Sequence, residues 1–102
     1  MFEFDGKQYE LKFNIQRIKM IEAAMKSSLM GEWQNNNGML SLQTIEFCFQ
    51  FALKEAGSDI YVNQTEAVRI SNEYMNKKGY APVALLIQES LQEHMPFLFQ
   101  AN

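Results

Sequence analysis

The sequence predicts an α+β domain, predominantly α, in which an N-terminal β-hairpin packs on about four helices. Three features of the residue order carry that prediction. Residues 2–13 alternate apolar and polar, the rest of the chain repeats apolar residues at spacings of three and four, and turn or capping residues separate these periodic stretches. At 102 residues there is room for one core, so residues 1–102 are expected to form a single domain. A domain of this size buries only roughly 60 to 65% of the surface its unfolded chain exposes, which leaves room for self-association or another partner to add stability.

The hairpin comes first, over about residues 2–13. Asp5-Gly6 is a two-residue hairpin signal, because a type I′ turn needs positive φ at both central residues. Pairing across it sets Phe4 opposite Lys7 and Phe2 opposite Tyr9, so Phe2, Phe4, Tyr9, Leu11 and Phe13 share one face. A lone hairpin is barely stable in water, so helices must cover that face. The pattern leaves open whether the first or the last helix does so.

Asn14 is placed to cap a first helix over about residues 15–30, where Ile15, Ile18, Ile21, Met25 and Leu29 recur at helical spacing. Gly31 to Gly38 reads as a polar loop with one large aromatic, Trp33, stranded in it as a candidate anchor. Ser41 starts a second helix over about residues 41–56, ended by Gly57 in the left-handed conformation. Leu42, Ile45, Phe49, Ala52 and Leu53 form one face of it, while Phe47, Cys48 and Phe51 spread around much of the rest. Such a helix is either the central buried element or faces a partner on its second side. Asn63-Gln64-Thr65-Glu66 has the form of a capping box for a third helix over about residues 64–78, with Ala67, Ile70 and Tyr74 inward and Lys77-Lys78 at its negative end. Pro82 suits the first turn of a fourth helix over about residues 82–99, which Pro96 must kink or end.

Composition removes several function classes. The chain is 47% hydrophobic and 21% charged, as a globular protein is. Its nine basic residues are scattered and interleaved with acids within a net charge of −3, so nothing tracks a phosphate backbone and nucleic acid is not an expected partner. The N-terminal residues lack the basic and apolar regions of a secretory signal. The apolar windows Ile45 to Leu53 and Pro82 to Ile87 are far shorter than the roughly 20 residues that span a bilayer, so no membrane partner is expected. Cys48 is the only cysteine, which excludes an internal disulfide and fits a reducing cytoplasm.

The chemistry-bearing residues do not assemble a reaction. His94 is the only histidine, and nothing in the sequence sets Cys48 beside it as a nucleophile. Cys48, between Phe47 and Phe49, reads as a small buried hydrophobe with a raised thiol pKa. Asp5 and Asp59 lie in turns, no acidic run resembles a metal loop, and the isolated glycines cradle no phosphate. Neither a cofactor nor an enzymatic activity is expected. What stands out is an excess of seven methionines and eight phenylalanines, a composition suited to adaptable apolar contact. The closing Met95-Pro96-Phe97-Leu98-Phe99 lies beyond a helix breaker and either folds back onto the hairpin or forms a contact site.

The opening Phe2-Glu3-Phe4-Asp5-Gly6-Lys7-Gln8-Tyr9-Glu10-Leu11 hairpin before an Ile-rich helix resembles the small tail assembly chaperones of long-tailed bacteriophages and prophages, notably those of Gram-positive hosts. The central helix from Ile45 ending near Gly57, the Thr65-Glu66-Ala67 helix start and the Gly79 to Phe99 closing helix extend that resemblance over nearly the whole chain. The resemblance implies no active site. It implies binding to a tape measure protein, a long apolar helical chain kept in solution while tail tube subunits polymerise around it. It also implies a place in the cytoplasm of the bacterial host, absence from the mature virion, and contact with tail tube protein through a longer, frameshifted form. The polar Gly31 to Gly38 loop and Pro96 depart from the family pattern. The expected partner surface is Phe47 and Phe51 on the second helix with Phe97 and Phe99 at the C-terminal end. The principal alternative is a permanent structural subunit of a phage particle or another oligomeric interaction module.

Overall fold

A computed structural model of the chain describes residues 1–99. Strands β1 (Phe2–Phe4) and β2 (Lys7–Leu11) pair in the register that the alternation dictates, Phe2 with Tyr9 and Phe4 with Lys7. Asp5 and Gly6 turn the chain between them at φ of 52° and 77°, the positive values a type I′ turn requires. Phe2, Phe4, Tyr9, Leu11 and Phe13 are all buried.

Helices follow as α1 (Ile15–Met25), α2 (Leu29–Asn35), α3 (Leu42–Ala52), α4 (Gln64–Lys78) and α5 (Tyr80–His94), with a 3₁₀ turn at Pro96–Phe99. A predominantly α, α+β architecture is therefore what the chain adopts. Several boundaries differ from those expected, and each difference has a local cause.

The expected helix over residues 15–30 is two helices. Lys26 takes the left-handed conformation at φ 58°, and the chain restarts under Ser28, whose hydroxyl accepts from the Gly31 N–H at 2.9 Å. The Glu22 carboxylate accepts from the Leu29 N–H at 2.8 Å, so side chains satisfy amides that a continuous helix would have satisfied. The break swings Leu29 into the core. It also turns most of the expected polar loop into α2, which carries Trp33 half-buried rather than stranded.

The second helix stops at Ala52, four residues short of the expected Ala56, and the chain continues as strand β3 (Leu53–Glu55). β3 pairs antiparallel with β2, Leu53 opposite Leu11 and Glu55 opposite Tyr9, which completes a three-stranded sheet of order β1-β2-β3 in place of the two-stranded hairpin. The free edge of β2 explains the switch. Its outward amides and carbonyls need partners, and the Lys12 N–H to Ala52 carbonyl (2.8 Å) and Ala56 N–H to Gln8 carbonyl (2.9 Å) bonds extend the pairing at both ends. Gly57, at φ 84°, serves the turn after β3 and not a helix end.

The sheet face is covered chiefly by the middle helices, and the end of α5 reaches its far edge, where His94 accepts from the Phe13 N–H. The aromatic rings of the face meet α3 and α4, with Phe2 centred 4.7 Å from Tyr74 and 6.0 Å from Phe49, and Phe4 6.1 Å from Tyr74. α3 is the central element, with Ile45, Cys48, Phe49 and Ala52 completely buried. Leu42, grouped on one face with Ile45 and Phe49, is exposed at the helix start.

α4 keeps its expected bounds, but its cap is single-sided. Asn63 Oδ1 accepts from the Thr65 and Glu66 N–H groups, while the Glu66 carboxylate turns away to Arg69. α5 begins at Tyr80 with Pro82 in its first turn and ends at His94, where Pro96 has neither an N–H nor the room to continue the helix. Tyr80 joins α5 to the start of α3, its hydroxyl donating to the Leu40 carbonyl and accepting from the Leu40 N–H, both at 2.8 Å. Arg17 joins α1 to the opposite end of α3, donating to the Phe51 carbonyl at 3.1 Å while its guanidinium lies 3.6 Å above the Tyr61 ring.

Candidate protein-binding surface

The expected surface residues occupy different environments. Phe47 and Phe51 are half-buried on α3 and pack against the core. Phe47 borders a polar recess of about 390 Å³ that also includes Met25, Lys26, Glu32, Ser41 and Thr44. That recess is internally satisfied, because the Glu32 carboxylate accepts from the Ser41 N–H (3.1 Å) and the Thr44 hydroxyl (3.0 Å). Phe51 is fixed through its carbonyl, which accepts the Arg17 bond.

Phe97 and Phe99 lie on the terminal 3₁₀ turn, which folds back onto α1 and α2 rather than onto the hairpin. The reason is the break at Pro96. Met95, restricted by the following proline, leaves the helix at φ −135° and buries its side chain, so the next residues cross the outside of α1. Phe99 meets Trp33 edge to face, with ring centroids 6.2 Å apart and planes at 86°. Trp33 is in turn backed by Gly38, where an added Cβ would come within 3.4 Å of the indole. Phe97 points away from this cluster and is 51% exposed.

Phe97 lines a groove of about 250 Å³ with Ile15, Ile18, Met95 and Leu98, rimmed by Lys19 and Glu22. Most of the lining is apolar, and Ile15 at its mouth is 57% exposed. Phe47, Phe51 and Phe99 do not line it. The sequence reading placed Ile15 on the inward stripe and so missed its part in the groove. The signal was present in the helical angle. Ile15 lies about 60° from Ile18 and about 120° from Ile21 around the axis, on the same flank as Lys19 and Glu22.

The reactive side chains are held apart. Cys48 is completely buried in α3, and its burial, with a smaller contribution from the Glu32 charge, pushes the thiol up to about 12. It is protonated at neutral pH and has no access to solvent. His94 lies at the end of α5, where its Nδ1 accepts a long 3.4 Å bond from the Phe13 N–H. Burial, and next the Lys12 charge, lower its pKa below the ordinary histidine value, with Glu93 and Glu10 opposing. A shallow recess beside it includes Glu10, Ser90 and Glu93. Among the described residues, no three His, Cys, Asp or Glu side chains come together as metal ligands, and no helix is long and apolar enough to cross a membrane.

No protein family, curated protein or solved structure matches the chain.

Proposed function

We propose that this chain acts as a tail assembly chaperone, binding the tape measure protein of a bacteriophage or prophage in the host cytoplasm and keeping it in solution until tube subunits enclose it. The observation that supports the reading is the apolar groove between α1 and the C-terminal turn, with Ile15 57% and Phe97 51% exposed at its mouth. A protein that must hold a long apolar helix without strict sequence demands needs such a surface: apolar, shallow and bordered by charge of both signs. Of the residues expected to bind, Phe97 is the one exposed at this groove, while Phe47, Phe51 and Phe99 are half-buried against the core. A longer form carrying the same domain would recruit tail tube protein through its extension.

The test is co-expression with the tape measure protein encoded nearby, measuring how much of that protein stays soluble and whether it co-purifies. The expected result is a soluble complex that depends on this chain and is lost with Ile15→Asp, a change at an exposed position in the first turn of α1. Unchanged solubility and no complex would remove the chaperone reading. Recovery of the chain in stoichiometric amounts from finished particles would favour a structural subunit instead.

A further inference from the structure

The turn that ends the described chain occupies the same face that the proposed function uses, and its attachment is unusual within this molecule. Among the described residues, the hydrogen bonds of Pro96–Phe99 are local, such as the Leu98 N–H to Met95 carbonyl at 3.1 Å. None joins it to α1 or α2. Other long-range junctions here carry polar clamps, Tyr80 on Leu40 and Arg17 on Phe51 among them. Among the described residues, the contacts that hold the turn are apolar: Met95 buried, Leu98 along the groove, Phe99 against Trp33. Pro96 separates it from α5, so it can move without unwinding that helix.

The turn also displays the chemistry of a ligand for this face. It is one short helical turn with the sequence Pro-Phe-Leu-Phe, presenting two adjacent apolar side chains to helices α1 and α2. We infer that Pro96–Phe99 is a strap that occupies the binding face in the unbound protein and is displaced by the apolar side of a partner's amphipathic helix, which takes over its contacts with Trp33 and the Ile15–Ile18 flank. The strap keeps Trp33 and Ile18 covered when no partner is present, which limits the apolar surface open to unwanted association. Its cost is that only the fraction of molecules with the strap displaced binds, so loosening the strap tightens apparent binding. The inference rests on the proposed binding role of this face but makes a separate claim about what covers it.

The experiment uses the full-length chain and, as the probe, a synthetic amphipathic helix of about 18 residues with leucines at i, i+3, i+4 and i+7. Affinity is measured for the wild type, Phe99→Ala and Leu98→Ala. Backbone amide shifts of residues 97–99 are followed by NMR at probe saturation. The strap requires that both variants bind the probe about three- to tenfold tighter than wild type, the scale on which one apolar contact shifts the competing equilibrium. It also requires the wild-type amides of Phe97, Leu98 and Phe99 to move to random-coil positions on binding. Weaker binding by the variants would make these side chains direct contacts and overturn the strap. Amide shifts that stay in place, or a probe that binds none of the three proteins, would overturn it equally. Solubilisation of the tape measure protein in spite of such a result would leave the chaperone reading standing without the strap.

Discussion

The centre of the molecule and its C-terminal turn use phenylalanine in opposite ways. Phe49, at the centre of α3, is wholly excluded from solvent and meets Phe2 across the sheet face, while Phe97 on the terminal turn is half exposed over a groove. The centre combines apolar burial with a network of backbone and side-chain bonds between distant segments: the β2–β3 ladder, the Lys12–Ala52 link and the Tyr80–Leu40 clamp. Among the described residues, the terminal turn has apolar contact with α1 and α2 and no hydrogen bond to them. Residue type therefore does not assign a side chain to core or contact surface in this protein; the backbone bonds around it do, because they decide whether the neighbourhood can open.

The largest expected effect tests that contrast directly. Phe49→Ala removes a ring from a fully packed site and is expected to destabilise the protein by about 3–5 kcal/mol, whereas Phe97→Ala should change stability by less than about 0.5 kcal/mol. Chemical denaturation of both variants, monitored by circular dichroism, measures the difference. Equal losses at the two sites would mean that the terminal turn is as integral to the fold as α3.

A smaller effect separates packing from polar clamping. Tyr80→Phe keeps the ring and deletes the hydroxyl that serves both the N–H and the carbonyl of Leu40. The expected loss is about 1–3 kcal/mol, since two partly buried backbone groups lose their partner together. The start of α3 should show it first, as faster amide exchange at Leu40 and in the first turn after Ser41.

The contrast also explains which parts were legible in the sequence. The Asp5-Gly6 hairpin and its register could be read because a two-residue turn and strict alternation leave one pairing, and the bounds of α4 because Asn63 and Gly79 bracket a clean period. The break at Lys26 and the switch at Leu53 could not be read. Each is decided by a distant or through-space partner: the Glu22 carboxylate reaching the Leu29 amide, and the open edge of β2 recruiting residues 53–55. Of the surface candidates, Phe97 was legible as an apolar residue beyond a helix breaker. Ile15 could be placed on the outer flank of α1 from its helical angle, but not in a groove, because periodicity does not encode where the chain crosses α1 after Pro96.

His94 sits on the boundary between the two regions and supplies a pH signature. Burial and the nearby Lys12 lower its pKa in the folded protein, so the unfolded chain takes up its proton first as pH falls. The stability associated with neutral His94 is therefore complete above its ordinary value of about 6.5 and is lost as pH falls from there through the lowered folded value. Protonation also ends the ability of Nδ1 to accept from Phe13. His94→Gln should flatten the stability profile below about pH 6.5 relative to wild type, measured as melting temperature against pH. An unchanged slope would assign that pH dependence to the carboxylates.

The smallest effect belongs to the most conspicuous ion pairs. Arg69 bridges Glu66 and Glu73 one turn away on either side along α4, and the Arg69 hydrogen bond holds the Glu66 carboxyl below the usual range. All three side chains are close to half exposed, so water and salt screen them and their ordering cost offsets most of the attraction. Arg69→Ala should shift the melting temperature less than any change above, and raising salt to about 0.5 M should remove what difference remains. The sign with pH follows from the lowered Glu66 value: its contribution is present above the ordinary carboxylate range and disappears as pH falls through the folded value. A salt-resistant loss on the scale of Tyr80→Phe would mean that this face of α4 is covered rather than open to solvent, and would make it a second contact surface distinct from the groove beneath Phe97.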